Sequence, residues 1–239
     1  MSGRRPLGAA LAVAGLLLVA AVAGFLLQRL TAPAPTLRPL PPAPAPTAPG
    51  GPAPQAPAAT GRASIPAELP DFALPDLGGT PHRLSDWRGR TLLINFWATW
   101  CGPCRREIPL LETIRRENAD KNLEIIGIAV DHEDSVRKMV KDLGIAYPVL
   151  VGEKGGLAAV SAFGMDTVLP FTVFADPQGR IVTLKVGELH RDEAAFILAR
   201  LADVAAGTLT VPAARERIEE EIRHLAAARA AAAGPTPRN

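Results

Sequence analysis

The sequence predicts an α/β fold with a central mixed sheet flanked by helices. Between residues 91 and 151, short apolar runs rich in branched side chains alternate with segments of helical periodicity, a pattern typical of parallel strands joined by helices. Two later apolar runs, residues 171–176 and 181–189, are separated only by the turn Pro177–Arg180, which indicates an antiparallel hairpin. Together the two patterns predict a sheet with both strand directions.

The predicted elements follow one another in a simple order. A short hairpin precedes the main sheet, and the main sheet then alternates strands and helices before it closes on the antiparallel hairpin and a helix. The predicted ranges are the hairpin 72–84, strand 91–98, helix 103–118 with a kink at Pro109, strand 123–130, helix 134–143, strand 148–151, helical segment 157–163, strands 171–176 and 181–189, and helix 193–206.

The first 30 residues are predicted to form a transmembrane anchor. Residues 7–27 are uncharged and apolar, and about 20 such residues cross a ~30 Å hydrocarbon core as a helix. Arg4 and Arg5 precede this stretch, so the positive-inside rule favours a single-pass protein of the inner membrane with its remainder on the periplasmic side. A signal peptide cleaved near Ala21–Ala23 is the alternative and would leave a soluble secreted or periplasmic protein.

Three further regions follow the predicted anchor. Residues 31–63 are dominated by Pro and Ala and form an extended linker that cannot bury a core. Residues 64–207 form the globular domain, and residues 208–239 form a C-terminal helical extension with a frayed tail from Ala230. The extension helix either packs on the domain, remains solvated, or serves as a docking helix. The net charge of +2, without a basic stripe, makes nucleic acid a poor candidate partner.

Both cysteines of the chain lie in the segment Trp100–Cys104. A disulfide across two intervening residues removes little chain entropy, so redox chemistry explains Cys101 and Cys104 better than a structural bridge does. The pair lies between a predicted strand and a predicted helix, where the helix N-terminus favours a thiolate. A zinc site would need about four ligands, and the chain has no second cysteine pair, so no metal is expected.

Residues 96–109, Phe-Trp-Ala-Thr-Trp-Cys-Gly-Pro-Cys-Arg-Arg-Glu-Ile-Pro, closely resemble the active-site segment of thioredoxin-like proteins. Within them, the segment resembles the membrane-anchored TlpA/ResA type of thiol-disulfide oxidoreductase. The resemblance covers about residues 66–206 and implies a thioredoxin-like fold with an N-terminal hairpin and a central insertion. It implies a redox-active disulfide in which Cys101 is the nucleophile and Cys104 the resolving thiol, without a cofactor.

The resemblance also implies a substrate-binding rim. Thioredoxin-like proteins carry a cis-proline at the start of the strand that faces the cysteine pair, and Pro170 occupies the matching place. Leu169, the residue before it, is then expected to touch substrate, as are Trp100, Gly102 and Pro103 around the cysteines. An ordinary trans-proline that opens a strand is the alternative for Pro170.

A proton acceptor is predicted at Glu107, one helical turn after Cys104. In ResA-like proteins a glutamate matches this position, whereas Asn95 stands where thioredoxin has a buried aspartate. The alternative for Glu107 is a solvated helix residue. Arg105 and Arg106 are expected to be surface charges, with substrate clamps as the alternative. Residues 131–133 are expected to form a solvated loop, with part of the site rim as the alternative.

The resemblance implies a function as well as a fold. It implies a membrane-tethered reductase that takes electrons from a membrane-embedded thiol carrier and passes them to disulfides in exported proteins. Family members reduce apocytochrome c or the copper-site cysteines of oxidase assembly proteins, but residues 167–171 depart from the Gly-Ala-Pro-Glu usual in the cytochrome c type. A disulfide oxidase or isomerase, and a tethered copper-binding or chaperone module, are the alternatives. A peroxidase is less favoured because the chain has no isolated cysteine.

Overall fold

The computed structural model describes residues 65–166 and 168–233. The predicted anchor at 1–30 and the linker at 31–63 lie outside the described residues. Within the described part of the chain, no helix combines the length and apolarity that crossing a membrane requires.

Seven strands, five α-helices and one short 3-10 helix make up the described chain. In order they are β1 (Ala73–Pro75), β2 (Pro81–Arg83), the 3-10 helix (Leu84–Trp87), β3 (Thr91–Trp97), α1 (Gly102–Glu117), β4 (Leu123–Ala129), α2 (Glu133–Leu143), β5 (Val149–Val151), α3 (Glu153–Ala162), β6 (Phe171–Ala175), β7 (Ile181–Val186), α4 (Arg191–Ala205) and α5 (Val211–Ala233).

The main sheet is mixed, as predicted. Its strand order is β5-β4-β3-β6-β7, and β1 and β2 form a separate two-stranded hairpin. Strands β3, β4 and β5 are parallel, because the helices α1 and α2 carry the chain back to the same edge each time. Strands β6 and β7 run antiparallel to their neighbours. The thioredoxin-like fold that the sequence resemblance implies is confirmed.

Apolar side chains cover both faces of this sheet. Helices α1, α2, α4 and α5 pack on one face, and the β1–β2 hairpin, the 3-10 helix and α3 pack on the other. Strand β3 lies at the centre and is buried over almost its whole length. The cysteine pair follows β3 directly, so a rigid, fully packed strand fixes its position.

Two helix boundaries differ from the prediction by three or more residues. Helix α3 begins at Glu153 and not at Leu157. The predicted start is late because Gly155 and Gly156 are poor helix formers; the structure explains the glycine at 156, where a Cβ would meet Val130 at 3.2 Å. Helix α5 continues to Ala233, past the predicted fraying point at Ala230, as its alanine-rich end allows.

Strand β7 also differs from the prediction at its end. It stops at Val186 and not at Leu189, because Gly187 has φ 84° and turns the chain. The three residues that follow Gly187 therefore form a loop at the same end of the sheet as the cysteine pair.

Helix α5 packs on the domain. Ala214 and Ile218 have no exposed surface and belong to the same core cluster as α1 and α4. Arg215, between them, donates hydrogen bonds to the carbonyl oxygens of Ile181 and Val182 on the edge strand β7, at 2.9 and 3.2 Å. These bonds cover backbone acceptors that an edge strand otherwise leaves open.

Candidate active site

The cysteine pair occupies the first turn of α1. Cys101 is the N-cap residue, Pro103 lies in the first turn, and Cys101 and Cys104 form a disulfide. The N–H of Cys104 donates to the Sγ of Cys101 at 3.3 Å, in the position where a helix N-terminus stabilises negative charge. Cys101 retains 4% exposure and Cys104 none. A partner therefore reaches Cys101 first.

The predicted rim residues surround the pair. Trp100 is 68% exposed, Gly102 is exposed and Pro103 is half-buried. The Leu169–Pro170 peptide is cis, which confirms the conformation expected there.

The β3–β6 register places Leu169 and Pro170 on the same rim. Phe96 pairs with Phe171 in antiparallel fashion. The residues that precede Phe171 therefore lie beside those that follow Phe96, at the end of β3 from which the cysteine segment departs. Leu169 is half-buried and Pro170 is buried.

A row of polar residues crosses the sheet beneath α1. Asn95 of β3 pairs with Thr172 of β6, which in turn pairs with Lys185 of β7. Directly paired residues of neighbouring strands share a face, and Glu107 of α1 lies over this row. The side-chain N–H₂ of Asn95 donates to Oε1 of Glu107 at 2.8 Å and to the hydroxyl of Thr172 at 3.0 Å.

Glu107 is a buried carboxyl group. Its exposure is 1%, and its Oε2 accepts a hydrogen bond from the N–H of Leu189 at 2.8 Å. Burial raises the pKa of Glu107 to about 7, although the hydrogen bonds from Leu189 and Asn95 act in the opposite direction. The alternative of a solvated helix residue is therefore wrong, because the β7–α4 loop covers this part of α1.

Charged residues of α1, β7 and the β7–α4 loop complete the surroundings of Glu107. The carboxylate of Glu188 accepts hydrogen bonds from the guanidinium of Arg106, with 2.9 Å between Nε and Oε2. The ammonium group of Lys185 donates to the carbonyl oxygen of Glu188 at 3.2 Å. The negative charge of Glu188 raises the pKa of Glu107 and the positive charge of Lys185 lowers it. Arg106 is exposed, as expected, but it is tied to the loop rather than free.

Sequence reasoning missed Thr172, Lys185, Glu188 and Leu189. They reach the site from β6, β7 and the following loop, far along the chain from the cysteines. The one available signal was a polar residue at 172 within an otherwise apolar strand. A buried polar side chain in such a strand requires a hydrogen-bond partner.

Asp131 is a second departure from expectation. The residue is 8% exposed and not part of a solvated loop. Its Oδ2 accepts hydrogen bonds from the N–H and the hydroxyl of Thr99, at 2.9 and 2.5 Å. Burial acts to raise the pKa of Asp131, but these bonds and the one from the His132 N–H hold it below its usual value. The carboxylate fixes the turn that carries Thr99 and Trp100 to the cysteine pair.

Residues 65–166 and 168–233 contain no group of three or more His, Cys, Asp or Glu side chains arranged to hold a metal ion. The groups that the structure brings together at the site are two cysteine sulfurs, a buried carboxyl group with a pKa of about 7 and an exposed aromatic ring.

Comparison with known proteins agrees with this geometry. A model of the AhpC/TSA family matches residues 65–184, which is half of the chain. The chain belongs to the AhpC/TSA family. It is 30% identical over 131 residues to the thiol-disulfide oxidoreductase ResA of Geobacillus thermodenitrificans, across 54% of this chain and 74% of that protein. It is 35% identical over 130 residues to the thioredoxin-like protein YneN of Bacillus subtilis, across 53% and 74%.

Solved structures give the same assignment. A secreted thiol-disulfide isomerase from Corynebacterium glutamicum is 29% identical with a TM-score of 0.52, covering 56% of this chain and 85% of that one. A thiol:disulfide interchange protein of the thioredoxin family from Chlorobium tepidum is 28% identical with a TM-score of 0.50, covering 59% and 96%. The chain is thus a thiol-disulfide oxidoreductase of thioredoxin fold, and its predicted similarity to the TlpA/ResA type is confirmed.

Proposed function

We propose that this protein is a membrane-tethered, extracytoplasmic reductase of disulfides in exported proteins. The observation that carries the proposal is the pairing of a disulfide at a helix N-terminus with a buried carboxyl group of pKa about 7. Glu107 follows Cys104 by three residues, a spacing that puts both side chains on one face of α1. A proton can therefore pass between them without entering bulk water.

The first step is attack by the reduced protein. The Cys101 thiolate attacks one sulfur of the partner disulfide, and the partner's other sulfur leaves as a thiolate that takes a proton from water. The product is a mixed disulfide between Cys101 and the partner. The exposed ring of Trp100 and the backbone next to Leu169 are the proposed contact surface for the partner chain.

The second step releases the partner. Glu107, as a carboxylate, takes the proton of the Cys104 thiol, and the resulting thiolate attacks Sγ of Cys101. The bond between Cys101 and the partner breaks, the second partner thiolate leaves, and the Cys101–Cys104 disulfide forms. Two electrons have passed to the partner. A membrane-embedded dithiol carrier restores the reduced pair by the same steps in reverse.

The location rests on the sequence. The apolar stretch 7–27 would hold the protein in the inner membrane, and the linker 31–63 would let the catalytic domain meet partners at different heights above the bilayer. The proposed partners are apocytochrome c or the copper-site cysteines of oxidase assembly proteins. The relatives named ResA are described as thiol-disulfide oxidoreductases, which supports a disulfide as the substrate.

The reduction potential of the Cys101–Cys104 pair tests the direction of electron flow. Full-length protein in detergent is equilibrated with glutathione or dithiothreitol buffers, and the oxidised fraction is read by thiol alkylation. A potential near that of thioredoxin, about −270 mV, supports the reductase, whereas one near the strongly oxidising limit of about −120 mV would instead assign an oxidase or isomerase.

The copper-binding alternative needs its own measurement. A copper(I) module predicts that replacing both cysteines by serine abolishes copper binding while the intact protein fails to reduce a model protein disulfide. Reduction that depends on Cys101 and continues in the presence of a copper chelator supports the reductase instead.

A further inference from the structure

The C-terminal helix α5 (Val211–Ala233) lies entirely after residue 184, where the family match ends. The C-terminal part of α5 contacts the first turn of α4. There the guanidinium of Arg229 pairs with Asp192 at 3.0 Å and with the carboxylate of Glu193. The side chain of Glu193 is 1% exposed. A buried carboxylate of this kind needs charge partners, and α5 supplies one of them.

Glu193 has a second cationic neighbour, Lys185 of β7. The ammonium group of Lys185 lies 3.6 Å from Oε2 of Glu193, and the same oxygen accepts the N–H of His190 at 3.1 Å. The ammonium group also donates to the carbonyl oxygens of Val186 at 2.9 Å and Glu188 at 3.2 Å. Lys185 is therefore shared between the carboxylate of Glu193 and the backbone of the β7–α4 loop.

The β7–α4 loop carries the N–H that contacts Glu107. Gly187 donates to the carbonyl of Pro170 at 2.8 Å, Lys185 holds the carbonyl of Glu188, and the next residue, Leu189, donates to Glu107. Each bond fixes one residue of the loop. Leu189, whose N–H lies 2.8 Å from Oε2 of Glu107, therefore follows two residues that are themselves held by hydrogen bonds.

We propose that Arg229 is a positioning residue for the redox site, acting through Glu193 and Lys185 on the loop that binds Glu107. While Arg229 neutralises Glu193, Lys185 remains on the carbonyls of Val186 and Glu188. Without Arg229, Glu193 draws Lys185 toward itself, because a buried carboxylate without a partner is costly. The loop then loses the bonds that hold Leu189 against Glu107. The importance of this contact for turnover rests on the proposed role of Glu107.

The consequence falls on the protonation of Glu107. The groups that act on the pKa of Glu107 are Glu188, Lys185 and the N–H donors of Asn95 and Leu189. The negative charge of Glu107 in turn raises the pKa of the buried Tyr147 hydroxyl, and the Cys104 sulfur lies on the same helix face as Glu107. Arg106 is held by Glu188. The Leu189 bond and the Lys185 charge both stabilise the carboxylate. Removing Arg229 weakens both, so the pKa of Glu107 rises.

The titration of Glu107 in the full-length oxidised protein tests this inference. Glutamate is labelled with ¹³C at the carboxyl carbon, and the Glu107 resonance is assigned by its loss in Glu107→Gln. In Arg229→Met we expect the titration midpoint to rise by about half a pH unit or more. Arg229→Lys keeps the positive charge, so its midpoint should lie close to that of the unchanged protein. Arg217 is an exposed arginine of the same helix and serves as the control. Arg217→Met should leave the midpoint unchanged.

A double variant separates positioning from a general loosening of the fold. If Arg229 acts through Lys185, then Arg229→Met produces no further shift in a Lys185→Met background. The inference is overturned if the titration midpoint of Glu107 in Arg229→Met is unchanged or lowered, or if it shifts no more than in Arg217→Met. It is also overturned if the shifts of Arg229→Met and Lys185→Met add in the double variant. The titration is read without a partner protein, so it remains informative even if Glu107→Gln exchanges disulfides at the normal rate and the proposed role of Glu107 fails.

Discussion

The side-chain amide of Asn95 donates to the carboxylate of Glu107 across 2.8 Å, with both residues buried. The two side chains belong to β3 and α1, and they lie under the turn that carries the cysteines. An amide at this position supplies a hydrogen-bond donor without a charge of its own. The single carboxyl group of the pair is therefore Glu107, and its protonation is not coupled to a second acid at position 95.

Replacing Asn95 by aspartate should destabilise the protein in a pH-dependent way. Asn95→Asp puts two carboxyl groups within hydrogen-bond distance, and like charges in a buried site share a proton. We expect the free energy of unfolding to fall by about 3 kcal/mol or more at pH 8, where both carboxyl groups must ionise, and by less at pH 5. Urea unfolding of the oxidised protein at the two pH values measures the difference.

The double variant Asn95→Asp with Glu107→Gln is the control for this prediction. It again holds one carboxyl group, so most of the extra loss at pH 8 should disappear. A loss that is the same at both pH values, or unchanged in the double variant, would show that the two side chains do not act on each other.

The stability of the protein should fall as the pH rises from about 4.5 to 7 through the contribution of Glu107. The folded protein keeps the Glu107 proton up to a pKa of about 7, whereas the pKa of an unperturbed glutamate is 4.5. The folded state therefore binds more protons in this window, and stability decreases with rising pH. The contribution is fully present below the lower pKa and amounts to about 3 kcal/mol.

Glu107→Gln removes this contribution. The contributions of all other titrating groups to the pH dependence cancel when the variant is compared with the unchanged protein. Unfolding free energies of both proteins at pH 5 and pH 8 give the result. The fall between the two pH values should be about 2.5 kcal/mol larger in the unchanged protein, which is less than the full contribution because pH 5 already lies above the pKa of 4.5. An equal fall in the two proteins would mean that Glu107 ionises as it does in water.

The fold could be predicted because local patterns and topology agree. The apolar strand 91–97 precedes a helix of the right period, and the turn Pro177–Arg180 is so short that β6 and β7 must be antiparallel. Helix α3 was placed too late because the pair Gly155–Gly156 weakens the helical signal, and only the contact with Val130 explains the glycine at 156.

The site could be predicted only where its residues adjoin the cysteines. Cys101, Cys104 and Glu107 belong to one helix, so their spacing is visible in the sequence. The donor that contacts Glu107 from Leu189 is a backbone N–H, which every residue except proline has, and nothing in the sequence marks it. The burial of Asp131 was missed for a related reason, since its partner Thr99 lies in a different loop.

The two cysteines should behave differently toward a protein disulfide. Reduced Cys104→Ser keeps the nucleophile but cannot resolve the mixed disulfide, so it should remain covalently attached to a model partner on a non-reducing gel. Cys101→Ser should form at least about tenfold less adduct, because the Cys104 sulfur is completely buried. Equal trapping by the two variants would contradict the assignment of Cys101 as the nucleophile.

Trp100 should matter for protein partners and not for small disulfides. Its ring is 68% exposed beside the cysteine pair, and a large exposed aromatic side chain of this kind is typical of a contact surface. Trp100→Ala should raise KM for a protein disulfide by about tenfold, since losing one aromatic contact costs about 1 to 2 kcal/mol. The rate with oxidised glutathione should change by less than about twofold, because the thiols and Glu107 are unaltered. Leu157, which is 42% exposed on α3, is the matched control. Leu157→Ala should change neither the KM for the protein disulfide nor the rate with oxidised glutathione. If Trp100→Ala slows both reactions equally, the ring supports the active-site turn and does not bind the partner.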